Sequence, residues 1–158
     1  MFRPIAAPLL AAAALTLAAA PAALAASPHD GDWEAVVSKA PGSTIEPGFK
    51  LVINFKFGPN HLVYHSVNTT RPEKPYISDH ETSLDGKVFP FPNQERFNQV
   101  SVLQTGPDDL QILKMKDGDV VAGEFWTFSA DGKSAVRRGV AKTPEGKSHA
   151  YQEHFVHR

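Results

Sequence analysis

The chain has 158 residues, with 16 Lys and Arg against 17 Asp and Glu and no cysteine. Disulfides, thiol catalysis and a lipid-modified N-terminal cysteine are excluded, and charges that balance without gathering into runs give no support to nucleic-acid or anionic-membrane partners. The length suits one domain with a core of its own.

Residues 1–25 carry a single charge, Arg3, ahead of an Ala/Leu run that ends in Pro21-Ala22-Ala23-Leu24-Ala25. This is the layout of a secretory signal peptide, cleaved after Ala25 or alternatively Ala26; a retained membrane anchor is the other reading. Cleavage would leave 26–158 as the domain, periplasmic or secreted and without stable membrane insertion. It would keep nine of the ten Phe, both Trp and all three Tyr for a core.

No stretch of that domain sustains a helical period, whereas the run from Phe49 to Phe57 alternates like a half-buried strand. Strands are predicted at 33–38, 49–57, 61–69, 75–82, 87–91, 99–105, 110–116, 119–129, 133–143 and 147–157. Pro90-Phe91-Pro92-Asn93-Gln94-Glu95 breaks the series as a loop. Asp85-Gly86, Asp117-Gly118, Asp131-Gly132 and Glu145-Gly146 read as two-residue hairpin turns. The predicted fold is all-β, a single antiparallel meander closed into a barrel of about 8–10 strands, with two packed sheets as the alternative.

The runs Leu84-Asp85-Gly86-Lys87-Val88-Phe89-Pro90, Lys116-Asp117-Gly118-Asp119-Val120-Val121 and Phe128-Ser129-Ala130-Asp131-Gly132-Lys133 resemble a family of small secreted bacterial lipocalin-like proteins. Gly31-Asp32-Trp33 is similar to the G-x-W opening of the calycin superfamily. The resemblance covers roughly residues 33–158, most clearly 84–158. It implies a lipocalin-like barrel in which Trp33 packs beneath a late-strand Arg, Arg158 or Arg137, and it leaves the activity open. The chain departs from the family at Glu124-Phe125-Trp126 and in its seven histidines.

Two-residue turns would set Trp126 opposite Arg137 and Arg137 opposite His154, with Glu124, Gln111 and Gln152 one row away. That face also takes Leu113, Met115, Ala122, Phe128, Ala135, Ala141, Ala150 and Val156. The other face takes Lys114, Ile112, Phe125, Arg138, Tyr151, Glu153 and Phe155, and its Lys-rich ends and Arg138–Glu153 pair read as a solvated exterior. With the first face inside, the lumen is lined by small residues around Glu124, Arg137, His154 and Gln152. It reads either as a pocket whose Arg137 grips an anion or as an architectural Glu124–Arg137 ion pair. A three-residue loop at Gly58-Pro59-Asn60 would bring His61 and His65 inside, and a four-residue loop would bring in Leu62 and Tyr64 instead. Four residues apart on a strand, the two histidines lie too far apart to share a metal, and no metal site is expected. Tyr76, Ser78, His80 and Thr82 form a polar strip along one strand face, either beside a pocket mouth or as an ordinary amphipathic edge.

Trp126, Glu124, Arg137, His154, Gln152, His61 and His65 are thus the candidate ligand-binding residues, for a small hydrophobic or carboxylate-bearing ligand and with no cofactor. The rival is a small-barrel lyase, isomerase or hydrolase with Glu124 or His154 as acid–base group and Arg137 stabilising an anion. A haem held by a barrel histidine is a third possibility.

Overall fold

The computed structural model describes residues 26–92 and 94–158, so the expected signal segment lies outside it. Ten strands follow one another: β1 (Gly31–Val36), β2 (Leu51–Phe57), β3 (His61–Asn68), β4 (Tyr76–Ser83), β5 (Asp85–Pro90), β6 (Gln99–Gly106), β7 (Asp109–Lys116), β8 (Asp119–Phe128), β9 (Ser134–Lys142) and β10 (Ser148–His157). They form one sheet in the order β4-β3-β2-β1-β10-β9-β8-β7-β6-β5, every adjacent pair antiparallel. The β1–β10 pairing curls the meander on itself. The result is a barrel closed everywhere except at a seam between β4 and β5.

That seam corrects one expected hairpin. Asp85-Gly86 does not join paired strands; Leu84 crosses from one sheet edge to the other, its N–H donating to Asn60 O at 3.1 Å and its carbonyl accepting from Gln104 N at 3.0 Å. The two strands it links are therefore drawn to opposite edges of the sheet.

The other turns show how loop length selects the inward face. Asp117-Gly118 is the expected two-residue turn, with φ of 50° and 87°, both left-handed as a type I′ turn requires. A bulge then intervenes: Met115 pairs with Val120, but Lys114 pairs with Ala122. The extra residue turns Leu110, Ile112 and Lys114 inward, where Gln111 and Leu113 were expected. At Asp131-Gly132 the hairpin closes on Ser129–Ser134. This four-residue loop has the same centre and parity as the expected turn, so Trp126 does oppose Arg137.

At Glu145-Gly146, Thr143 N donates to Lys147 O at 2.8 Å, enclosing three residues, with Gly146 at φ 81°. The odd count slides β10 by one, and Arg137 opposes Glu153 rather than His154. Tyr151 and Phe155 accordingly point inward, while Ala150 and Val156 lie on the outside. In the first hairpin Gly58 N bonds His61 O at 2.8 Å, so only Pro59 and Asn60 form the loop, and Leu62 and Tyr64 are inside with His61 and His65 outside.

One end of the barrel is filled by aromatic rings. Trp33 lies fully buried with Nε1 donating to His29 O at 3.0 Å, and His29 stacks on Phe128 at 4.5 Å. The Arg partner implied for Trp33 is replaced by His157, whose ring stacks on the indole at 4.6 Å and 4°. Arg158 instead pairs with Glu34 on the surface, and Arg137 sits over Trp126.

Candidate functional site

The opposite end is open. A cavity of about 900 Å³ enters there, walled by Phe49, Leu51, Phe97, Ala122 and Tyr151, and its base is formed by Lys114, Glu124, Arg137 and Glu153. Alternation brings Glu124 and Trp126 to the inner face of β8, Arg137 to that of β9, and Tyr151 and Glu153 to that of β10. Lys114 joins them because of the β7–β8 bulge. Gly139 is required beneath Tyr151, since a Cβ there would overlap the phenol ring.

The four charged groups form one chain of ion pairs. Lys114 Nζ lies 2.6 Å from Glu124 Oε1, and Arg137 Nη1 lies 3.3 Å from Glu124 Oε2. Arg137 Nε donates to Glu153 Oε2 at 2.7 Å, and Nη2 bonds the same oxygen. The guanidinium carbon is 5.2 Å from the Trp126 ring and 5.3 Å from that of Phe155; the Lys114 ammonium is 5.4 Å from that of Phe97. Glu124 and Arg137 are 3 % and 7 % exposed, depths at which charges persist only when paired. Two cations meet two anions, and the base of the cavity carries no net charge.

Burial alone would raise the Glu124 carboxyl, but Lys114 and then Arg137 outweigh it and hold it down at about 2. Burial would likewise lower the Lys114 ammonium, and Glu124 outweighs it and pushes it up. Burial, followed by Glu124, pushes the Tyr151 phenol far above its ordinary value. Glu124 is thus an ionised carboxylate at neutral pH and a weak base there.

Of the seven residues proposed from sequence, Trp126, Glu124 and Arg137 meet inside. His154 and Gln152 lie on the outer side of β10, their Nε2 atoms 3.3 Å apart, and Gln152 also donates to Pro41 O and accepts from Arg138 Nε. His61 is exposed and His65 pairs with Asp79 on the outer surface. His154 is therefore not placed to share a proton with Glu124. Lys114 and Glu153, on the outer face in the two-residue-turn register, lie inside, and Tyr64 is inside as in the longer-loop alternative. Glu153 was within reach of sequence reasoning, because Pro144-Glu145-Gly146 also fits a three-residue loop with Gly in the left-handed position. The bulge that turns Lys114 inward has no comparable signal. Among the described residues no group of three His, Asp or Glu side chains is arranged to hold a metal.

His80, on the inner side of β4, is pulled down to about 4 by burial first and by Lys114 next. Between about 6.5 and 4 the unfolded chain binds a proton there that the folded protein refuses, so its contribution to stability is complete above 6.5 and lost as pH falls. Urea unfolding of the wild type should show a decline of roughly 3 kcal/mol between those pH values, steepened below 4.5 as Glu124 begins to matter. His80→Phe should lack the upper part of the decline; an unchanged profile refutes this account of His80.

The fold and cavity define a lipocalin-like barrel open at one end. No protein-family model matches the chain, and no curated protein matches it in sequence. Among solved structures it is similar to the zebrafish ileal bile acid-binding protein complexed with cholic acid. The identity is 15 % and the TM-score 0.54, over 84 % of this chain and 99 % of that one. At that identity the likeness shows the barrel fold alone.

Proposed function

We propose that this chain is an exported, lipocalin-like binding protein that holds one small, mainly apolar ligand in the open end of its barrel. The ligand's polar end would rest on the Lys114–Glu124–Arg137–Glu153 cluster. The observation that carries the reading is the cavity, about 900 Å³ with aromatic and small apolar walls and four converging charged groups at its base. Cavities of roughly 300–1,000 Å³ with that make-up are the usual form of a small-ligand site. The zebrafish protein's complex with cholic acid supports a rigid amphiphile as the ligand class.

Lys114 is the better anchor for an anionic head. Both Glu124 and Glu153 already occupy Arg137, whereas Lys114 makes one hydrogen bond among the described residues and keeps two ammonium protons for a ligand. Export rests on the leader-like layout of residues 1–25.

The test uses protein from cells expressing the full chain. Intact-mass analysis of the extracytoplasmic fraction should find a chain beginning at Ala26 or Ser27; recovery only of a chain that still begins at Met1 removes the export part. Thermal shift against long-chain fatty acids, bile acids and long-chain alcohols should raise Tm by several degrees for at least one class, as expected for a ligand well above its Kd. Ala141→Phe, which fills the cavity, should abolish that rise while leaving the ligand-free Tm near its wild-type value. No shift with any class, together with no co-purifying mass in native spectra, defeats the reading.

A further inference from the structure

Among the described residues, seven buried side-chain polar atoms have no hydrogen-bond partner in the protein, and four of them lie on the inner face of β4. They are Ser78 Oγ, both ring nitrogens of His80 and Thr82 Oγ1. Ser78 is 1 % exposed and Thr82 2 %. Each such orphan ordinarily costs about 1–3 kcal/mol, so a row of them on one strand needs a reason.

The seam supplies part of it. The backbone of β4 pairs with β3 from Tyr76 to Ser83, but among the described residues no strand pairs with its other side, and no side chain from β5 takes up these groups. Ser101 of β6, itself buried, donates its hydroxyl to Gly86 O at 2.7 Å. The row also adjoins the cavity. Lys114, at the cavity base, lies 5.9 Å from the centre of the Tyr64 ring, and Tyr64 stacks on His80 at 4.5 Å and 9°. Phe91 meets the far side of His80 edge-on at 5.5 Å.

We propose that the inner face of β4 is a second, deeper part of the binding site, which takes uncharged hydrogen-bonding groups, hydroxyl or carbonyl, spaced along one edge of the ligand. It rests on the ligand-binding reading above. Alternate residues of a strand are roughly 6–7 Å apart, and the ligand's groups should match that interval. A neutral imidazole offers one donor and one acceptor, and each hydroxyl adds one donor and two lone pairs. His80 is neutral at physiological pH because burial and then Lys114 oppose its protonation. A carboxylate belongs at the cavity base beside Lys114; along the β4 row it would be stripped of water, because that strand carries no Lys or Arg.

Cholic acid and lithocholic acid share a ring skeleton and a carboxylate and differ by two ring hydroxyls. Calorimetric titration of the secreted chain should give tighter binding to cholic acid. The double variant Ser78→Ala/Thr82→Val should lose roughly five- to tenfold in cholic acid affinity and less than about twofold for lithocholic acid, as expected for one or two hydrogen bonds. Ligand-free, the variant should melt at or above the wild-type Tm, because it removes orphaned polar atoms. A clear fall in Tm would mean that the hydroxyls are bonded within the protein, and overturns the proposal without any ligand. Equal losses for both acids, or none, overturn it and leave the binding reading standing. Failure of both acids to bind the wild-type chain overturns this proposal, and the binding reading is then decided by the fatty acids and alcohols of the thermal-shift panel.

Discussion

Glu124→Gln should cost about 3–5 kcal/mol of folding stability, measured by urea unfolding at neutral pH, because it leaves a buried ammonium without its counter-charge. Lys114 is 11 % exposed at its side chain and Glu124 4 %, so water does not replace the lost carboxylate. Arg137 keeps Glu153 and suffers less. Adding Lys114→Met to Glu124→Gln should therefore recover most of the loss, since removing both members of a buried pair is far less damaging than removing one. The two substitutions should couple strongly in a double-mutant cycle. Additive effects, or a loss below about 1 kcal/mol for Glu124→Gln, would show that the two groups are not the buried partners described.

Trp126→Ala should cost a similar amount, about 3–5 kcal/mol, for a different reason. The indole is 1 % exposed and touches three Phe rings, with centroids 5.1 Å away at Phe55, 5.8 Å at Phe128 and 4.7 Å at Phe155. Its other edge donates from Nε1 to Glu124 Oε2 at 3.4 Å and its face carries the Arg137 guanidinium. Removal opens a void in the aromatic layer between the cavity base and the closed end. Trp126→Phe keeps most of that layer and should lose much less. A small loss for the alanine variant, read from the guanidinium midpoint, would mean that the layer collapses to fill the gap and that Trp126 is not its centre.

Both predictions concern residues already prominent in the sequence, and the reason is local. Trp126 opposes Arg137 because a hairpin centred on Asp131-Gly132 has the same register with two loop residues or four. His154 and Gln152 moved outside because the next loop encloses three. The rest of the cluster depended on contacts far apart in the chain. Lys114 reaches Glu124 through a bulge, and Glu153 meets Arg137 through the slid register of β10.

Alternation and turn residues were sufficient, from sequence alone, for an all-β meander of about 8–10 strands, because each strand and turn is written within ten or so neighbouring residues, and they favoured closure into a barrel over two packed sheets. Those signals repeat with period two and are blind to a shift of one. Which face was inside, which histidines were excluded and where the barrel stayed open were decided only in the tertiary structure. There both Trp rings and, among the described residues, all the Phe rings but the exposed Phe125 share one interior, and each loop adopts the length that puts them there.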